Sequence, residues 1–211
     1  MKVYLMKDGV WKLYENPEPK EFADRNIIIG AFASVGESAI IGAFASVGES
    51  AIIGKSAIIG EFASVGESAR IGEFARIGEF AIIGKSAIIG ESAIIGEFAR
   101  IGEFARIGEF AIIGKSARIG ESAIIGAFAR IGESASIEDQ FDYILISLLG
   151  SRKSVMTAYK HKDGIMIGTG CWLGWIDDFE KEVNRVHGDN NHGKDYAIAL
   201  EYVRKRLKDV K

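Results

Sequence analysis

The chain has 211 residues, with 26 glycines, two prolines, one cysteine and a formal charge of −3. That length holds one ordinary core, or a repeat rod plus a small domain. The charge gives no general signal for nucleic acid, the single Cys171 excludes an internal disulfide framework and suits a reducing compartment, and no apolar run is long enough to span a bilayer. Residues 1–9 contain no signal-peptide apolar region, so the expected location is the cytoplasm and no membrane partner is expected.

The first 26 residues read as a cap. Residues 2–6 and 10–15 have the composition of two strands around a Met6-Lys7-Asp8-Gly9 turn. Pro17 and Pro19 then interrupt regular structure. Trp11, Tyr14 and Phe22 lie close to the next segment and are expected to seal it.

From Ile27 to Gln140 one phrase repeats: Ala, any residue, Ile or Val, Gly, any residue, Phe or Ser. Nineteen six-residue units run without insertion, and eighteen carry the glycine, from Gly30 to Gly132. Ala and Ile/Val stand two positions apart and therefore face one side of an extended segment. The residue between them varies, as Ile52, Ser64 and Arg70 do, and so belongs outside. Glycine after the inward aliphatic marks a turn or a close backbone approach. So much glycine would penalise a helix, whereas stacked short strands satisfy the backbone and bury an aliphatic column. Ala39-Ile40-Ile41-Gly42-Ala43-Phe44 and its copies closely resemble the hexapeptide-repeat family. That resemblance implies a left-handed parallel β-helix with three hexads per coil, about six coils in residues 27–140, and a rod roughly 30 Å long.

The exterior carries a second period. Lys55, Lys85 and Lys115 are thirty residues apart, and residues 51–80 agree with 81–110 at 26 of 30 positions. Five hexads are not a whole number of coils, so these lysines fall on successive faces. The pattern reads as duplication or consensus construction and suits an engineered or consensus-regularised repeat. At eighteen-residue spacing, Phe44, Phe62, Phe80 and Phe98 form one column before Ser116 and Ser134. Edge packing along the rod is the plain reading of that column. With Ile40, Ile58, Ile94 and Ile112 it also makes a candidate interface with another subunit or a protein partner.

The resemblance brings acyltransferases that use a histidine near a subunit junction, and carbonic anhydrases that hold a metal with histidines. Residues 27–140 contain no His and no Cys, and their only Asp is Asp139. The repeat is therefore expected to be non-catalytic. Ser38 or Glu37 alone lacks the partner that activation requires.

Beyond Glu138, where glycine was due, the tail reads as a small α+β unit over residues 141–211. Tyr143 to Leu149 suggests a strand, and Val155 to Tyr159 with Ile165 to Ile167 a hairpin across Lys162-Asp163-Gly164. Asp177 or Asp178 is a candidate cap for a helix through Val186. A second helix is expected from Asp195 to about Lys208, with Ala197, Leu200, Val203 and Leu207 on its apolar face. Trp172 and Trp175 are expected in the small core. Arg204, Lys205, Arg206 and Lys208 form a basic helix ending, which reads as a solvated terminus or a contact for an acidic partner.

Chemistry, if the chain performs any, belongs here. Cys171, His187 and His192 are acceptable zinc ligands, with His161, Asp189 or Asp195 as additions, although their spacing matches no strong zinc motif. Cys171 and His187 are also a candidate catalytic pair. Through Gly150-Ser151-Arg152 and His187-Gly188-Asp189-Asn190 the tail resembles terminal domains of uncharacterised bacterial or phage repeat proteins, which implies no established reaction.

These features favour a capped, non-catalytic structural or protein-assembly scaffold, with no cofactor and zinc as the alternative. The resemblance adds a homo-oligomer, a trimer by family habit. The competing reading is an acyltransferase whose active residues lie outside the regular coils. A cleft joining Cys171 or His187 to a coil face favours that second reading, and a tail that merely covers the coil end favours the first.

Overall fold

The computed structural model describes residues 2–7, 10–15, 17–139, 141–150 and 153–208. Strands β1 (Lys2–Lys7) and β2 (Val10–Glu15) precede a short helix, α1 (Pro19–Ala23), and then the coil strands β3 to β21, from Ile28–Ile29 to Ser136–Ile137. Almost every hexad contributes two strand residues, one outward and one buried. Each outward residue pairs with the residue eighteen positions on, as Arg76 does with Ile94 and Ile94 with Ile112. Three hexads therefore make one coil. The three sheets of parallel strands close a left-handed β-helix of about six turns. Its interior is a dry stack of Ala and Ile/Val, for example Ala75, Ile77, Ala93 and Ile95, each at most 1% exposed.

Two features of the hexad explain its sequence. A Cβ placed on Gly42 would stand 2.5 Å from the backbone nitrogen of Glu61 in the next coil. Glycine is there for close approach, and the left-handed backbone falls on the sixth residue instead. Phe44 has φ 59° and Ser50 has φ 56°. For an L-residue that conformation costs roughly 1–2 kcal/mol, a cost offset by the hydrogen bonds each corner makes to the coil before it. The amide of Phe62, for instance, donates to the Ala43 carbonyl at 3.0 Å.

In this winding every coil donates its outward-residue and glycine amides to the coil that follows, as Arg118 N–H does to Ala135 O and Gly120 N–H to Ile137 O. The N-terminal end thus presents carbonyls and the C-terminal end presents amides. At the first end β1 pairs in parallel with β5 (Ala39–Ile41) and antiparallel with β2. Tyr14 packs on the coil core and Phe22 is buried against it. The side chain of Trp11 and the tip of the Asp8-Gly9 turn lie outside the described residues.

The tail forms a four-stranded antiparallel sheet of β22 (Tyr143–Leu149), β23 (Ser154–His161), β24 (Gly164–Thr169) and β25 (Trp172–Trp175), followed by helices α2 (Ile176–His187) and α3 (Asn191–Lys208). The expected hairpin joins β23 to β24. Helix α2 starts one residue before Asp177, with Trp175 at its N-cap and no side-chain cap; Asp177 and Asp178 instead sit in the first turn. Helix α3 begins at Asn191 rather than Asp195, and its buried face is Tyr196, Ala199, Leu200, Val203 and Leu207. Ala197 is exposed, because the i, i+3, i+4 spacing that runs through Tyr196, Ala199, Leu200, Val203 and Leu207 leaves position 197 at the side of that stripe. Trp172 packs on Phe179 with ring centroids 4.7 Å apart, whereas Trp175 is 38% exposed.

Candidate active-site cleft

The tail is joined to the solenoid by hydrogen bonds as well as by packing. Gly126 N–H donates to Tyr143 Oη at 3.1 Å, Arg130 N–H to Thr157 Oγ1 at 3.1 Å, and Gly132 N–H to Tyr159 Oη at 2.8 Å. Glu138 N–H donates to Asp142 Oδ2 at 3.0 Å. The acceptors sit where the next coil's carbonyls would be, so side chains terminate the ladder that backbone would have continued. Thr157 and Tyr159 are essentially fully buried. Burial pushes the phenols of Tyr143 and Tyr159 above the usual tyrosine value, and the glycine amides they accept from pull only partly the other way.

The tail's chemistry-bearing residues lie away from this junction, among its own strands and helices. Cys171 lies in the turn between β24 and β25 and is exposed; it is free. His187 is the last residue of α2, and its ring lies 5.8 Å from both the His192 and the Tyr196 ring. Cys171, His187, Tyr196, Glu182, Ser154 and Thr169 all line one cavity of about 300 Å³. Across its floor Ser154 Oγ and Thr169 Oγ1 are 3.3 Å apart. A second cavity, of about 450 Å³, is lined by Phe110, Ile112, Phe128 and Arg130 of the coils and by Lys153, Ser154, Val155 and Gly170 of the tail. Ser154 and Gly170 belong to both walls. The two cavities therefore adjoin at Ser154 and Gly170, the first walled wholly by the tail and the second by coil and tail, and this pair is the candidate cleft.

Other candidates are placed elsewhere. His161 stands 3.5 Å from Asp163 through Nδ1, packs edge-on to Trp175, and lines a separate cavity with Lys160 and Arg204. Asp189 and Asp195 are exposed and line neither wall of the cleft. Among the described residues no group of three or more His, Cys, Asp or Glu is arranged to hold a metal, so Cys171, His187 and His192 do not assemble as a zinc set. Arg204 is occupied within the fold: it bonds Glu180 and Asp177 at 2.8 Å each, which holds its guanidinium above the usual arginine value. Phe44, Phe62, Phe80 and Phe98 stack with centroids 4.6 to 4.9 Å apart and planes within 2°. Ile40, Ile58, Ile94 and Ile112 share the adjoining sheet, interrupted by Arg76. Thr169, Tyr196, Arg130 and Lys153 were not legible as site residues, since nothing in their sequence neighbourhood announces the meeting of tail and coil.

No curated protein sequence matches the chain. Among solved structures it is similar to a variant of GDP-perosamine N-acetyltransferase from Caulobacter crescentus in complex with CoA and GDP-perosamine, at 22% identity and TM-score 0.45, over 53% of this chain and 49% of that one. It is also similar to the acetyltransferase domain of PglB from Neisseria gonorrhoeae in complex with acetyl coenzyme A, at 18% identity and TM-score 0.26, over 49% and 53%. A third is UDP-N-acetylglucosamine acyltransferase from Campylobacter jejuni, at 14% identity and TM-score 0.34, over 87% and 91%. The chain spans about half the length of the first of these. The expectations of a non-catalytic scaffold and of no cofactor are corrected here: the solenoids this chain is similar to are described as acyltransferases, some holding CoA or acetyl-CoA. The tail does more than cover a coil end, because it opens a cleft. No described helix is long and apolar enough to cross a membrane. The GMPPB C-terminal domain family matches over residues 23–122 and again over 56–165, and the chain belongs to that family.

Proposed function

We propose that this chain is an acyltransferase of the hexapeptide-repeat type that takes a CoA-type thioester, with its reacting groups in the tail unit of residues 141–211 rather than in the coils. The observation that carries this reading is the cavity that gathers Cys171 and His187 with Ser154, Thr169 and Tyr196, adjoining the coil-side cavity at Ser154 and Gly170. His187 serves as general base. Its imidazole takes the proton of an acceptor amine or hydroxyl as that group attacks the thioester carbonyl. The acyl–nitrogen or acyl–oxygen bond forms, the carbon–sulfur bond breaks, and the proton passes to the departing thiolate. Cys171 lies on the wall facing the same space. Copies of the chain associate, as a homotrimer, through the Phe44–Phe98 column and the Ile40, Ile58 and Ile94 face, whose phenylalanines are 42 to 50% exposed in the single chain.

The test is release of free thiol from acetyl-CoA in the presence of amine- or hydroxyl-bearing sugar acceptors. His187→Ala is expected to reduce turnover by about 10²–10⁴-fold, the usual range for a lost general base, while Cys171→Ala retains most of it. Thiol release that is no faster with wild-type protein than with His187→Ala refutes the reading.

A further inference from the structure

The coil-side half of the cleft has the parts of a binding site whose ligand is set by geometry and charge. Phe110 and Phe128 stack with centroids 5.2 Å apart and planes 5° from parallel. Phe128 is the last ring of its column, because the position eighteen residues on is Ile146, already in β22. One face of Phe128 is covered by Phe110; the ring is still 56% exposed and borders the cavity. The other long column ends differently. There, Ser116 follows Phe98, and Lys115 Nζ from the next coil sits 5.6 Å from the centre of the Phe98 ring. The Phe98 stack is closed by a cation of its own chain, and among the described contacts the Phe128 stack has no such cover.

The cavity also carries positive charge without a counter-charge. Arg130 reaches the Gly170 carbonyl through Nη1, and Lys153 stands on the same wall. No carboxylate lines this cavity, and among the described residues neither cation has a carboxylate partner. The volume of about 450 Å³ falls inside the usual range of small-molecule sites, roughly 300–1,000 Å³.

We infer that this half of the cleft binds a planar aromatic ring carrying a phosphate, the ring lying on Phe128 as the next rung of the Phe110–Phe128 stack and the phosphate meeting Arg130 and Lys153. A ring placed there continues the spacing of the coil, and aromatic platforms accept bases and simple aryl rings alike. Guanidinium and ammonium groups without acidic partners supply the anion contact. The site shares the cleft with the acyl-transfer reading but not its chemistry, since neither His187 nor Cys171 takes part.

Calorimetric titration with AMP and with phenyl phosphate tests this, with adenosine and inorganic phosphate as the half-ligands. At least one complete probe is expected to bind, and each half-ligand to bind at least tenfold more weakly. AMP without phenyl phosphate assigns the platform to a nucleobase, and phenyl phosphate alone to a single ring. Phe128→Ser is expected to weaken binding by roughly tenfold or more. The fold accepts that change, because Ser92 and Ser134 hold the same corner position at φ 55° and 57°. Arg130→Ile, which copies Ile112 of the same sheet, is expected to do likewise, and Phe98→Ser to leave binding unchanged. Binding by neither complete probe at millimolar concentration overturns the assignment, as does equal loss in Phe128→Ser and Phe98→Ser. His187→Ala should slow thiol release and leave this binding intact, so the two proposals fail separately.

Discussion

Tyr159→Phe removes one oxygen and tests how the solenoid is ended. In the protein, Tyr159 Oη accepts the Gly132 amide at 2.8 Å, and Tyr159 is 1% exposed. Phenylalanine keeps the ring among Ile and Leu neighbours, so little cavity is made. What changes is that a buried backbone donor loses its acceptor. Neutral exchange of a hydrogen bond is worth only about 1 kcal/mol, but stranding a buried donor costs about 1–3 kcal/mol. Water cannot readily compensate, because the space beside Gly132 is filled: a Cβ on that glycine would meet Tyr159 Oη at 2.5 Å and Leu173 Cδ2 at 3.3 Å. The expected loss is therefore about 2 kcal/mol, read as a lower urea midpoint at unchanged slope. Hydrogen exchange should show the Gly132 amide losing protection while Gly78, deep in the coils, keeps it. Tyr202→Phe, at an exposed tyrosine, is the matched control and should leave the midpoint unchanged. If Tyr159→Phe shifts the midpoint no more than Tyr202→Phe does, and the Gly132 amide exchanges as before, the hydroxyls do not terminate the ladder and the account of the cap is wrong.

The same junction makes stability depend on high pH. Burial raises the folded-state values of Tyr143 and Tyr159 above the ordinary 10.0, so the stability they contribute is fully present below pH 10 and is lost as pH rises through their folded values. Denaturation followed from pH 8 to 11.5 should show that fall, and a smaller one in Tyr159→Phe. Gly84→Ala should destabilise by about 1–3 kcal/mol or more, since its Cβ would stand 2.5 Å from Glu103 N. Gly126→Ala should cost less, because its nearest neighbour is the flexible Leu145 Cδ1 at 3.2 Å; thermal melts of the pair decide. Deleting the hexad 61–66 should leave a cooperative β-rich fold by circular dichroism, because every ladder bond re-forms one hexad on. Deleting residues 61–63 should not, because it turns the Ala and Ile columns outward.

The coils were legible because a period of six constrains every position. Ala and Ile must face in, glycine must clear the next backbone, and the sixth residue must turn the corner. One part of that logic was open from sequence alone: glycine is commonly read as the left-handed residue, yet here Phe44 and Ser50 take that conformation. The distinction lies in a contact eighteen residues away, invisible within a single hexad. The tail's strands and helices were recognisable by composition, but their edges were not. The start of α2 at Ile176 carries no capping side chain to mark it, and α3 turns Tyr196 and Ala199, rather than Ala197, into the core. Cys171 and His187 were recognisable as chemistry-bearing residues, and their shared cavity was not, because it depends on how Phe179 and Val183 of α2 and Tyr196 of α3 pack over Ser154, Thr169 and Trp172 of the sheet.

That seating also explains where a site can form. Within the rod each face nearly repeats the one before it, and each inward position is spent on packing. A residue added for chemistry would sit in the same environment as its neighbours one coil away, with no cavity between them. Asymmetry begins only where the constraint lapses. The hexad glycines as far as Gly120 clear the backbone of the coil that follows, Gly126 and Gly132 meet side chains of the tail instead, and at position 138 Glu138 is admitted where glycine was due. The same interruption leaves Phe128 without a successor ring, leaves the amides of Gly126, Arg130 and Gly132 to side-chain acceptors, and brings Gly170 and Ser154 beside Arg130. The cleft is thus a consequence of ending a periodic structure with a non-periodic one. Shortening the rod by a whole coil of eighteen residues, removing 61–78, should accordingly leave AMP or phenyl phosphate binding and thiol release at wild-type values. A loss of either in a rod that still melts cooperatively would mean that residues of the middle coils belong to the site.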